Sequence, residues 1–99
     1  MRLLLHPEAL AEYAAAVAHY ERRQPGLGMR FVSTVEPAMM GILANPAAWP
    51  VLADNMRRRL TRTFPYAILF YAEADTVVVL AVMHCHQQPG YWRSRLAEP

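Results

Sequence analysis

Lysine is missing from this chain, and all ten basic residues are arginine. Codon bias in a GC-rich genome produces such a pattern, and so does a need for planar groups that bind phosphate or carboxylate in a bidentate way. Cysteine occurs once, at Cys85, which excludes an internal disulfide and suits a reducing cytoplasm. Charge is scarce: 18% of residues are charged against 55% hydrophobic, so the chain is not disordered by composition and its surface carries few charges. A small domain of that kind often keeps an apolar patch that a partner covers. Long hydrophobic runs are missing too. Leu3-Leu4-Leu5 is too short for a secretory signal and is followed at once by Pro7-Glu8, while Val77 to Met83 has the length of a strand and not of a bilayer span. A soluble cytoplasmic protein with no membrane association is expected. There is no glycine-rich phosphate loop, no Ser/His/Asp set and no carboxylate pair, so nucleotide hydrolysis and protease chemistry have no support.

At 99 residues the chain is expected to fold as one domain over residues 1–99, with one core. Its net charge of +2 is unevenly spread. Residues 1–54 hold four arginines and five acids, and residues 55–99 hold six arginines and three acids, so the halves carry −1 and +3. A basic second half permits a polyanionic or acidic partner.

Arg2 to His6 reads as a short strand. Pro7 suits the first turn of a helix, and Glu8 favours the positive end of its dipole. Leu10, Tyr13, Ala14, Val17 and Tyr20 then recur at helical spacing, which places Glu8, Glu12, His19 and Arg23 off that face. Pro25-Gly26-Leu27-Gly28 turns the chain into a second helix with Phe31, Val35, Ala38, Met39 and Ile42 on one face. Pro37 should kink or split that helix, and Asn45-Pro46 should end it. Residues 46–55 read as a loop. Three strands follow, Met56 to Thr63, Tyr66 to Glu73 and Thr76 to His86, with a turn at residues 73–76. The expected fold is α+β in the order β-α-α-β-β-β: a helical hairpin packed on a four-stranded, mainly antiparallel sheet.

Two stretches carry candidate chemistry. In Arg57-Arg58-Arg59-Leu60-Thr61-Arg62, alternation sets Arg57 and Arg59 on one face and Arg58, Leu60 and Arg62 on the other. Leu60, with Met56 and Phe64 in phase, should face the helices, so that Arg57 and Arg59 project from the open face, either as solvated cations or as ligands for phosphate or carboxylate. The second stretch runs from His84-Cys85-His86 to Tyr91-Trp92-Arg93-Ser94-Arg95. Alternation turns His84 and His86 away from Cys85, and no second Cys/His cluster exists, so no metal site is expected. The histidines could act as acid or base or simply cap a strand. Trp92 could pack on the core or stack on a base, with packing the more frequent habit. Tyr91 could donate a proton if neighbouring cations held its phenol.

Taken together, Pro7-Glu8-Ala9, Tyr20-Glu21, Pro25 to Phe31, Asn45-Pro46, Phe64-Pro65-Tyr66 to Tyr71, Val79 to His84 and Pro89-Gly90-Tyr91-Trp92 resemble the RelE/ParE toxin superfamily of bacterial type II toxin–antitoxin modules, over about residues 2–95. The resemblance implies the same element order, a cognate antitoxin as partner in a hetero-oligomer, and one of two actions. RelE-like members are ribosome-dependent endoribonucleases acting on mRNA; here Tyr91 would be the acid, His84 or His86 the base, and Arg57, Arg59 and Arg93 phosphate ligands. ParE-like members bind DNA gyrase without a catalytic set. This chain has Ala67 and Cys85 where the ribonucleases usually carry arginine, lacks their lysines, and has Gln87-Gln88 after its histidines. A phosphorane needs several placed cations, and losing one such group typically costs about 3 kcal/mol of transition-state stabilisation. The ParE-like reading is therefore favoured. It implies a gyrase inhibitor without cofactor, with Arg57, Arg59, Arg62, His84, Tyr91, Trp92, Arg93 and Arg95 toward the target and Tyr13 and Tyr20 toward the antitoxin. A decayed toxin kept only for antitoxin binding is the remaining alternative.

Overall fold

A computed structural model describes residues 1–97. Strand β1 (Arg2–Leu5) leads into helix α1 (Pro7–Arg23), which is followed by helix α2 (Leu27–Ala44) and a 3-10 turn (Pro46–Ala48). Strands β2 (Val51–Ala53), β3 (Met56–Leu60), β4 (Tyr66–Glu73) and β5 (Thr76–His84) come next, and a 3-10 turn at Arg93–Ala97 ends the described chain. The fold is α+β with the helical hairpin on a mixed sheet of five strands, one more than the sequence indicated. The additional strand is β2, which lies inside the segment read as a loop; three residues are too few to show alternation. Sheet order is β1-β5-β4-β3-β2, with β1 parallel to β5 and the other pairs antiparallel.

The hairpin's turn is built by its glycines and one carboxylate. Gly26 takes φ +88°, a conformation that a side chain strains. Glu21 on α1 accepts hydrogen bonds from the backbone N–H groups of Gly26 and Gly28, placing negative charge at the start of α2. A Cβ on Gly28 would stand 2.9 Å from the Val17 carbonyl oxygen, so the close approach of the two helices requires glycine there. α2 runs unbroken through Pro37; that ring is exposed, and the donor it lacks would have served the carbonyl of Ser33 on the solvent side.

The helices cover one face of the sheet. Phe31, Val35, Ala38, Met39 and Ile42 of α2 pack there with Ile68, Phe70, Val77, Val79 and Val82, as the helical spacing indicated. α1 is rotated from its expected setting. Ala9 and Ala16 are its buried residues, Leu10 is 56% exposed, and Glu12 points inward, where it accepts the Val82 N–H. Small alanines let this helix lie close to β5, which brings the Glu12 carboxylate within reach of the strand. An aromatic cluster of Tyr20, Phe31, Phe64 and Tyr66, with ring centroids 4.8–6.1 Å apart, ties the Phe64-Pro65-Tyr66 segment to both helices.

The opposite face has a core of its own: Met56, Leu69, Leu80 and Ala81 beneath Trp92 from the C-terminal tail. This second core reverses the expected facing of β3. Arg57 pairs with Phe70 and Arg59 with Ile68 in the β3–β4 register, so Arg57 and Arg59 are on the helix side and Met56, Arg58 and Leu60 on the other. The alternation holds, but Met56 is drawn to Trp92 and not to the helices. β3 also stops at Leu60, because Thr61 to Thr63 form a turn in which Thr63 takes φ +73° and the Thr61 hydroxyl donates to the Phe64 carbonyl. β5 likewise stops at His84, before His86.

Candidate target-binding cleft and its tail

A cleft of about 350 Å³ opens on the face away from the helices. Leu69 of β4, Met83 of β5 and Trp92 of the tail form its apolar side, Leu52 and Ala53 of β2 bound it, and Arg58 and Arg93 supply its charge. Both arginines are exposed, and among the described residues neither has an ion-pair partner. The Arg93 guanidinium lies 4.9 Å from the Trp92 ring centroid. Gly90, at φ +79°, allows this: a Cβ there would stand 3.2 Å from Arg93 Nε. An apolar recess flanked by two unneutralised guanidinium groups can take an apolar side chain with a neighbouring anion.

The other expected site residues are distributed differently. Arg57 donates to the Trp49 carbonyl at 2.6 Å, and Arg59 donates to the Ala38 carbonyl at 2.9 Å while lying 4.1 Å over the Trp49 ring. Both therefore brace the turn after α2 and do not project from an open face. Arg95 is only 7% exposed and forms a two-point pair with Glu12 at 2.9 Å, with Glu8 3.7 Å away. The hydrogen bonds to Glu12 raise its guanidinium pKa against the lowering effect of burial. Its expected position toward a target is overturned, since the guanidinium is consumed inside the fold. Trp92, 3% exposed, is likewise core and presents no ring for stacking. Arg62 is exposed on the β3–β4 turn.

Tyr91 donates its hydroxyl proton to Glu12 at 2.5 Å. Burial, and then the hydrogen bond to Glu12, raises its phenol above the ordinary tyrosine value, with Arg95 pulling less strongly the other way. The cation beside it thus fails to make it a better acid. His84 belongs to the helix side, where it lines a second, smaller cavity of about 230 Å³ with Glu12, His19 and Tyr66. Its Nδ1 accepts the His86 N–H at 3.0 Å, and the two rings are 5.0 Å apart. The sheet separates this imidazole from Arg58 and Arg93. Among the described residues no group of three His, Cys, Asp or Glu side chains could hold a metal ion, and no helix is long and apolar enough to cross a membrane. Tyr13 and Tyr20 are half-buried between the helices: Tyr13 donates to Glu36 at 2.8 Å, and Tyr20 sits in the aromatic cluster.

Sequence reasoning missed Arg58, Leu69 and Met83 as cleft residues and Glu12 as the partner of the tail. The signal for the first three was the apolar phase of Met56 and Trp92, which marks a second covered face. Glu12 has no such signal, because its role depends on how α1 is rotated.

A helical hairpin on one face of a small mixed sheet is the fold that the resemblance to the RelE/ParE toxins implied. The family model described as ParE toxin of type II toxin-antitoxin system, parDE, matches residues 3–89, and the chain belongs to that family. The match ends just before the Gly90–Ala97 tail that closes the cleft. Among solved structures, a chain of the chromosomal ParDE toxin–antitoxin system from P. aeruginosa is similar, with a TM-score of 0.63 and 17% identity, over 85% of this chain and 95% of that one. That likeness is one of fold. No curated protein sequence matches significantly.

Proposed function

We propose that this toxin acts in the cytoplasm by binding DNA gyrase, without chemistry of its own, and that a cognate antitoxin neutralises it in a toxin–antitoxin complex. The observation that carries this reading is the separation of groups across the sheet. Arg58 and Arg93 share one face, His84 lies behind the other, and Tyr91 is tied to Glu12. An RNA-cleaving site needs acid, base and cations around one phosphate. A protein target needs only an apolar anchor point with charges at its rim, which the cleft supplies. The buried Trp92 ring also favours a protein over a single-stranded nucleic acid, whose bases would stack on an exposed ring.

Arg58 and Arg93, with Arg62 on the adjoining turn, are the proposed target contacts. The exposed edges of Tyr13 and Tyr20 are the proposed antitoxin contacts, on an apolar hairpin whose α1 also exposes Leu10. Purified toxin added to gyrase supercoiling and DNA-cleavage reactions tests the reading, and inhibition relieved by the antitoxin is the expected result. Absence of inhibition at any concentration, with codon-specific cleavage of translated messages instead, would replace it by the ribonuclease reading.

A further inference from the structure

β5 loses its neighbour on one side halfway along its length. β1 pairs with it only as far as Leu5–Val79, and a register shift beside β4 leaves Leu80 as an extra residue. Two backbone groups at this bulge are met by side chains in place of a strand. The Val82 N–H donates to Glu12 Oε1 at 3.0 Å, and the Leu80 carbonyl accepts from Arg95 Nη1 at 3.0 Å. Those two side chains are themselves joined at two points, 2.9 Å each, and Tyr91 donates to the same carboxylate. One carboxylate on α1 therefore receives four hydrogen bonds, from the sheet, from Tyr91 and twice from Arg95.

The position of these partners in the sequence gives the arrangement its consequence. Tyr91 and Arg95 bracket Trp92 and Arg93, and Trp92 and Arg93 line the cleft, whereas Glu12 does not. Both ends of that short segment are held by one side chain of α1, at the open edge of β5. Tail backbone hydrogen bonds are few and local, such as Arg93 N–H to the Gly90 carbonyl and Arg95 N–H to the Trp92 carbonyl, so they give the segment its shape but do not dock it.

We propose that Glu12 is the positioning residue of the cleft: by clamping Tyr91 and Arg95 to the β5 bulge it sets where Trp92 and Arg93 stand opposite Arg58, without touching the target. The proposal rests on the reading of the cleft as the target contact. Its first arm, however, is independent of what the target is.

Hydrogen exchange of the full-length toxin, wild type against Glu12→Gln and Tyr91→Phe, is the test. Glu12→Gln keeps the size of the side chain and removes its charge. Amide exchange in residues 88–96 is expected to rise about tenfold or more, with the α2 and β4 amides unchanged, and Tyr91→Phe should give a smaller rise in the same segment. In the gyrase assay both variants should lose potency, and the double variant should be no worse than Glu12→Gln, since both substitutions act through one clamp. Additive losses, or tail exchange equal to wild type in both variants, overturn the proposal. If Glu12→Gln does not fold, Tyr91→Phe carries both arms, because its ring stays in place. A wild-type protein that leaves gyrase untouched overturns the proposed function, while the exchange arm still decides whether Glu12 holds the tail.

Discussion

The two faces of the sheet receive the same arginine run and use it in opposite ways. On the helix side Arg57 and Arg59 meet carbonyls and an indole, and their charge is absorbed in holding the Pro46–Ala48 turn against α2. On the other side the Arg58 side chain has no such partner among the described residues and borders a recess. One residue of displacement along β3 separates a brace from a proposed contact. What covers each face decides the difference. The helices shield their face along most of the sheet, whereas a tail of a few residues covers only the centre of the second face and leaves its cations in solvent.

The largest effect should come from removing that partial cover. Trp92→Ala takes the main buried side chain from the tail and uncovers Met56, Leu69 and Leu80. A loss of about 3–5 kcal/mol is expected, measured by urea denaturation. A loss under about 1 kcal/mol would mean that the second face is stable without its tail and that the two faces differ less in cover than their packing indicates.

Next in size is the brace. Arg59→Ala removes a charged hydrogen bond to the Ala38 carbonyl and the stacking over Trp49, and should cost about 1–3 kcal/mol in the same denaturation experiment. Gly41→Ala probes this contact from the other side, since a Cβ there would clash with Arg59 Nη1 and push the guanidinium away. Each substitution should leave the potency of whatever protein remains folded unchanged.

A third effect depends on pH. Burial, first among the causes, raises the phenol pKa of Tyr13, Tyr66 and Tyr91 in the folded state. A raised folded value means that the native state holds its proton longer than the unfolded chain. The stability from these neutral phenols is whole below the ordinary tyrosine value of about 10 and is lost as pH rises above it. Alkaline unfolding monitored by circular dichroism should therefore begin above pH 10, and Tyr91→Phe should flatten its slope. An unchanged slope in that variant would show that the tail phenol ionises as freely as in the unfolded chain.

These comparisons also explain how much could be read from the chain beforehand. The helices, the three long strands and the Pro25–Gly28 turn announce themselves, because periodicity and turn residues act locally. The face of β3 does not, since Met56 and Leu60 satisfy an apolar phase whichever face they take, and only the covering by Trp92 settles it. β2 is too short to alternate. The β5 bulge is hidden in the continuous apolar run from Val77 to Met83, where one extra residue leaves no mark. The cleft was half legible for the same reason: Arg93 and Trp92 are adjacent in sequence, but Arg58 reaches them only once the face is known.

The smallest effect on stability falls on that residue, and there the comparison of the two faces becomes sharpest. Arg58 is exposed and its side chain is without a hydrogen-bond partner among the described residues, so Arg58→Ala should change unfolding free energy by no more than about 0.5 kcal/mol. Its effect should appear in binding: gyrase inhibition is expected to weaken by about tenfold or more, as for a charged residue at the rim of an apolar anchor site. Arg57→Ala gives the opposite pairing, with stability lost through its bond to the Trp49 carbonyl and potency kept. Neighbouring arginines that exchange these two outcomes would show that the free face, and not the overall positive charge of the strand, meets the target. Equal losses of potency from both would return the argument to net charge alone.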